Sequence, residues 1–204
     1  GSLMVTSTSD SLQNRIRVDT TLTRIVIYTD RFSQDARYLE SALAAIKQYS
    51  GRNLEVTTTG SQQNLGSKTD WLFWLSEKPV PRIDARNRFI YQSGKIRKYR
   101  SGIRTSGRTS LNTEPVPVYK RIEAPESLSG KDRWVDGFGD PILTTSLDNG
   151  TSDHFFYSRF NPAWNELPWN EEFPELLFEL LYPNRDGIDP RDLRSIAEAE
   201  MRPH

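Results

Sequence analysis

Arg24-Ile-Val-Ile-Tyr-Thr29 and Asp70-Trp-Leu-Phe-Trp-Leu-Ser76 decide how this sequence folds. Both runs are short, nearly continuously apolar and rich in β-branched or aromatic residues. Such a run is a strand covered on both faces, as in a parallel sheet, and not a strand with one wet face. Between them Ala36, Leu39, Leu43 and Ile46, with Ala42 and Tyr49 alongside, fall on one side of a helical period. Ser33 stands in the N-cap position, Asp35 in the first turn and Gly51 at the stop. Leu54 to Thr58 follows as a strand, which completes a β-α-β unit. The expected fold is therefore α/β, a mainly parallel sheet flanked by helices, Rossmann-like in outline.

Outward from that unit the chain changes character. Residues 82 to 108 hold nine basic side chains and one acid, Asp84. The remaining 18 basic and 26 acidic side chains cancel that local +8, so the net charge of zero is a sum of two opposite regions. Arg88 to Gln92 and Ile96 to Tyr99 form two short strand candidates around Ser93-Gly94, the pattern of a hairpin. A basic β-hairpin and loop insertion at about 82–113 is expected from these features. Further strands are expected at Val116 to Ile122, Arg133 to Val135, Ile142 to Thr145 and His154 to Phe160, with glycine turns at Asp136 to Gly139 and Asp148 to Gly150. Phe173, Leu176, Leu177, Leu180 and Leu181 mark a helix over about 171–181, with Pro174 in its first turn, and Asp189 opens a last one. Residues 1–20 are polar and without period, a flexible lead-in to a single domain over 21–200. No apolar run approaches the roughly 20 residues that span a bilayer.

Composition and motifs exclude several chemistries. No cysteine is present, so there is no disulfide framework, thiolate metal site or cysteine nucleophile. Neutral charge argues against a general nucleic-acid binder, and no nucleic-acid partner is expected. Gly94-Lys95 and Gly130-Lys131 continue as Ile96 and Asp132, so no phosphate-binding loop forms, and no glycine-rich turn follows the first strand. Asp30 and Ser33 stand where adhesion-type domains present oxygens to a cation, but Phe32 and Gln34 replace the other hydroxyls. Asp186-Gly187 resembles a calcium loop whose final carboxylate position is Leu193. His154 and His204 are the only imidazoles, and G-x-S-x-G is absent. No catalytic group, metal or cofactor is expected.

Two regions are candidates for contact with a partner. The first is the basic row Arg97, Lys98 and Arg100, interleaved with aromatics. The second is the turn containing Arg159, Trp164 and Trp169, in which Arg159 is expected to pair with a nearby carboxylate. Asp30, Ser33 and Glu77 form a third candidate, a crevice at the C-terminal ends of the parallel strands, where open α/β sheets bind ligands.

Four blocks carry a family resemblance: Tyr28-Thr-Asp-Arg-Phe-Ser-Gln-Asp35 through Ile46, Asp70 to Pro79, Trp134-Val-Asp-Gly-Phe-Gly-Asp-Pro-Ile-Leu143, and Phe155 to Trp169 with Phe173-Pro174. In their order they resemble the extracytoplasmic part of Bacteroidetes BatA-type proteins, aerotolerance-related membrane proteins that begin with a double-transmembrane domain. The resemblance covers most of residues 24 to 195. It implies a periplasm-facing domain whose anchors in the cytoplasmic membrane lie outside this stretch, with a class I glutamine-amidotransferase-like outline but without the cysteine that activity needs. The expected function is a non-enzymatic interaction or scaffolding domain linked to envelope stress tolerance, with protein partners in the cell envelope. A hydrolase-like enzyme using the strand-end crevice and a carbohydrate-binding module built on the tryptophans are the alternatives.

Overall fold

The computed structural model describes residues 21–66, 68–105, 114–125 and 130–183. The expected lead-in, the 184–189 loop and the helix from Asp189 lie outside them. The chain runs β1 (Thr23–Thr29), α1 (Ser33–Ser50), β2 (Leu54–Thr59), β3 (Thr69–Leu75), β4 (Ala85–Tyr91), β5 (Ile96–Thr105), β6 (Val116–Ile122), β7 (Lys131–Val135), β8 (Pro141–Asp148), β9 (Thr151–Phe156) and α2 (Phe173–Leu181). Short 3₁₀ turns occupy Gln62–Asn64 and Leu167–Trp169. The strands make one nine-stranded sheet in the order β2-β1-β3-β4-β9-β8-β7-β5-β6.

This sheet overturns the expected fold class. The pairings β2/β1, β1/β3, β3/β4 and β4/β9 are parallel, whereas β9/β8, β8/β7, β7/β5 and β5/β6 are antiparallel. Only two α-helices occur among the described residues, and both pack on the same face. The fold is a mostly-sheet, mixed architecture, neither Rossmann-like nor amidotransferase-like. The physical reason lies in the cover of the second face. Ile25, Ile27, Trp71, Phe73, Phe89 and Tyr91 meet α1 and α2, as a two-face apolar strand leads one to expect. On the reverse, Val26, Tyr28, Leu72, Trp74 and Ile90 are covered by Leu65, Val80 and Ile83 from the connecting chain. Tyr28 stacks on Trp74 at 4.0 Å, and Trp74 Nε1 donates to the Lys78 carbonyl at 2.8 Å, which ties the chain after β3 across the sheet. Apolar periodicity reports that a face is dry; it does not report that a helix dries it.

The expected hairpin around Ser93-Gly94 does not form either. β4 lies between β3 and β9, and β5 between β6 and β7, so the β7–β8–β9 meander separates them. β4 is an interior strand with β3 and β9 as parallel neighbours, and Phe89 and Ile90 are buried on its opposite faces. At α1, Phe32 and not Ser33 occupies the N-cap, with no side-chain cap, and Tyr49 leaves the buried stripe at 84% exposure. Gly51 ends the helix in the left-handed region at φ 63°, and α2 buries the five apolar residues expected of it. β9 stops at Phe156, and residues through Phe160 turn away from the sheet while staying buried.

The glycine turn at Asp148 to Gly150 is a two-residue hairpin loop. Asp148 pairs with Thr151, and Asn149 and Gly150 carry φ of 47° and 83°. Both central residues with positive φ make the turn whose twist matches the flanking strands. An alanine Cβ at 150 would meet nothing within 4 Å, so only the backbone penalty applies. Gly150→Ala is expected to lower unfolding free energy by about 1 kcal/mol in urea titration; no loss would show that the turn relaxes freely.

Candidate functional site

The crevice expected at the C-terminal ends of β1 and β3 is filled by the protein itself. Asp30, just past β1, accepts from Ser76 Oγ at 3.0 Å and Arg31 N at 2.7 Å and pairs with Lys78 Nζ at 3.2 Å. Burial alone would raise its carboxyl, but these donors outweigh it and hold Asp30 below the usual carboxylate range. Ser33 is exposed on the first turn of α1, and the hydroxyl that reaches Asp30 belongs to Ser76. Glu77 forms ion pairs with Arg31 and Arg159.

Arg159 is the centre of the arrangement and is not a surface group: its exposure is 1%. That corrects its candidacy as a contact residue, while the carboxylate partner expected for it is Glu77. Nη1 donates to the Ser158 carbonyl at 2.7 Å; Nη2 donates to Glu77 Oε1 at 2.9 Å and to the Gln92 carbonyl at 2.7 Å. The guanidinium lies 4.7 Å from the Tyr91 ring, 4.9 Å from Trp164 and 5.4 Å from Phe32. Three rings around a desolvated cation add attraction that an exposed pair lacks.

Behind it a second layer was missed by sequence reading. Tyr91 Oη donates to Asp35 Oδ2 at 3.0 Å and accepts from Phe160 N at 2.8 Å, and Asn161 Nδ2 donates to Asp35 Oδ1 at 3.2 Å. Burial pushes the Asp35 carboxyl up and, with the Asp35 charge beside it, pushes the Tyr91 hydroxyl up as well. The signal was present: Asp35 shares the helical stripe of Leu39, Ala42 and Ile46, and an acid in a buried stripe needs partners. The network ties α1, β3, β4 and the segment after β9 together.

The basic row lies on β5, and the tryptophan turn packs along the outer edge of its neighbour β6. Arg97, Lys98 and Arg100 are exposed on β5. Across the strand pair Arg97 faces Arg121 and Lys98 faces Lys120, like charges that oppose pairing unless answered. Arg97 and Lys95 are answered by Glu123, and Arg121 turns inward to Asp140 and to Asp136 at 3.6 Å. Lys120 Nζ lies 5.9 Å from the Trp164 ring. The Trp164 carbonyl accepts from Tyr119 N at 2.8 Å and Lys120 N at 3.1 Å, and Glu166 N donates to the Pro117 carbonyl at 2.9 Å. Residues 161–166 thus seal the outer edge of β6. Trp164 is half-buried, whereas Trp169 is 67% exposed on its 3₁₀ turn.

Asp153 and His154, adjacent on β9, point to opposite faces and cannot act together. Asp153 receives Arg88 in a two-pronged pair, both bonds 2.6 Å. His154 stacks on Trp71 at 5.0 Å with Nδ1 2.8 Å from Thr145 Oγ1. Burial, aided by the Arg133 charge, pushes its pKa down to about 4, so the imidazole is neutral at physiological pH. Among the described residues no three histidine or carboxylate side chains cluster to hold a metal. No protein-family model and no curated protein matches the chain.

Proposed function

We propose that this chain is a non-enzymatic interaction module that docks an acidic segment of a partner protein on the β5–β6 face formed by Lys98 and Lys120. The observation that carries the reading is the cross-strand Lys98–Lys120 pair, which has no carboxylate paired to either lysine among the described residues. Two like charges side by side hold a local positive potential that an acidic partner relieves. Trp164 beneath Lys120 supplies an aromatic floor beside the charges. The filling of the strand-end crevice by Arg159 and its rings favours a binding role over a hydrolase there. The BatA-type sequence blocks support a place in the cell envelope, on the periplasmic side of the cytoplasmic membrane, and a link to envelope stress tolerance. No helix among the described residues is long and apolar enough to cross a membrane.

A fluorescent oligo-glutamate peptide serves as the probe, followed by capture of partners from solubilised envelope membranes. Binding is expected to weaken steeply as salt rises. The double variant Lys98→Glu/Lys120→Glu is expected to lose roughly tenfold or more in affinity for the peptide. Equal binding by both proteins would remove this face from the mechanism.

A further inference from the structure

β2 ends the sheet, and its outer side pairs with nothing among the described residues. Thr23 N donates to the Asn53 carbonyl and Thr23 is in register with Leu54, so residues 53, 55, 57 and 59 turn their backbone groups towards β1. Alternation along the strand leaves the N–H and C=O of Leu54, Val56 and Thr58 pointing outward. Sheet edges are commonly guarded by lysine, proline or a bulge. This one reads Leu54-Glu-Val-Thr-Thr-Thr59, and its register on β1 is unbroken. Its one charge, Glu55, is answered within the chain by Arg24 at 3.4 Å. Val56, on the same side of the sheet as buried Leu54, is left 37% exposed.

The edge is complementary to itself. In an antiparallel pair about a two-fold axis at Val56, Val56 meets its own copy, Leu54 meets Thr58 and Thr58 meets Leu54, so every outward residue exchanges both of its bonds. On the helix side the two Val56 side chains cover each other, and on the reverse Glu55 faces Thr57 and not a like charge. The helices above fit the same axis. α1 runs against β2; Glu40 accepts from Thr58 Oγ1, and Ala44 and Lys47 share its face of the helix. Ala44 and Lys47 are exposed, and neither Glu40 nor Lys47 has an ion-pair partner among the described residues. The rotation that brings Thr58 to Leu54 brings Glu40 of each copy alongside Lys47 of the other. We infer that the outer edge of β2 is the interface of a two-fold dimer of this chain, closed by Val56 on the axis and by reciprocal Glu40–Lys47 pairs. This edge and the β5–β6 face lie at opposite ends of the sheet, so each stands or falls without the other.

Sedimentation velocity and amide hydrogen exchange, run on the chain from low micromolar to near-millimolar concentration, provide the test. A monomer–dimer equilibrium is expected, with the amides of Leu54, Val56 and Thr58 gaining protection as the dimer forms and those of Glu55 and Thr57 protected throughout. Val56→Lys sets two cations on the axis and is expected to weaken dimerisation at least roughly tenfold. Glu40→Lys and Lys47→Glu are each expected to weaken it several-fold alone, because like charges then meet twice across the axis. An equimolar mixture of those two variants pairs opposite charges at both places and is expected to regain wild-type association as a heterodimer. That mixture carries the test should Val56→Lys fail to fold, and Lys98→Glu/Lys120→Glu leaves the dimer unchanged. A chain that stays monomeric, a dimer that survives Val56→Lys, or a mixture that associates no better than its components would each overturn the assignment. Outward β2 amides protected equally at every concentration would overturn it in favour of another strand on that edge.

Discussion

Arg159→Met should destabilise the protein by about 3 kcal/mol, a large part of the ~5–15 kcal/mol that holds a typical domain folded. Methionine retains much of the apolar stem but removes the donors to the Ser158 and Gln92 carbonyls and to Glu77. Breaking one side of a fully buried ion pair costs ~3–5 kcal/mol, because the remaining charge is stranded. The lower end applies here, since the Glu77 side chain is 34% exposed and can recover some hydration. Glu77→Gln should cost less, about 1 kcal/mol, because an amide oxygen still accepts from Nη2 and the rings still surround the cation. Urea denaturation measures both. A loss below about 1 kcal/mol for Arg159→Met would mean that the carbonyls and Glu77 find water, and the crevice would then have to be counted as open.

The second large effect is a dependence of stability on pH centred on His154. Its folded pKa of about 4 lies below the ordinary value of 6.5, first because burial disfavours the cation and then because Arg133 is near. Between those values the unfolded chain binds the proton and the folded one does not. The contribution is thus complete above pH 6.5 and is lost as pH falls towards 4. It amounts to ~3 kcal/mol at most, from 1.36 kcal/mol per pKa unit. Asp35 acts in the opposite sense: its carboxyl titrates above 3.8, so its contribution falls as pH rises through the raised value. His154→Phe should remove most of the slope between pH 6.5 and 4, while Asp35→Asn, which takes away an opposing contribution, keeps or steepens it. A wild-type slope in His154→Phe would move the acid sensitivity to another group.

What could be read from the residues divides along a physical line. β6 falls on Val116 to Ile122 as expected, and the α2 stripe is buried throughout, because both depend on residues within a few positions of each other. The dry character of β1 and β3 was equally legible. The material covering their reverse face was not, since Leu65, Val80 and Ile83 sit in segments with no period of their own. The hairpin failed because sheet neighbours are chosen by competition among distant strands, and β9 pairs with β4 across more than 60 residues. The same distance hid the Arg159 network: its bond to Glu77 spans 82 positions, and that from Asn161 to Asp35 spans 126. Only Asp35 left a local trace.

The sealing of β6 by residues 161–166 has a counterpart at β2, whose outer edge pairs with nothing among the described residues. A sheet with two open ends can add copies of itself indefinitely, whereas one closed end limits growth to a single event. Among the described residues, then, strand addition is open at β2 and blocked at β6, and removing the Trp164 turn would bare the second edge.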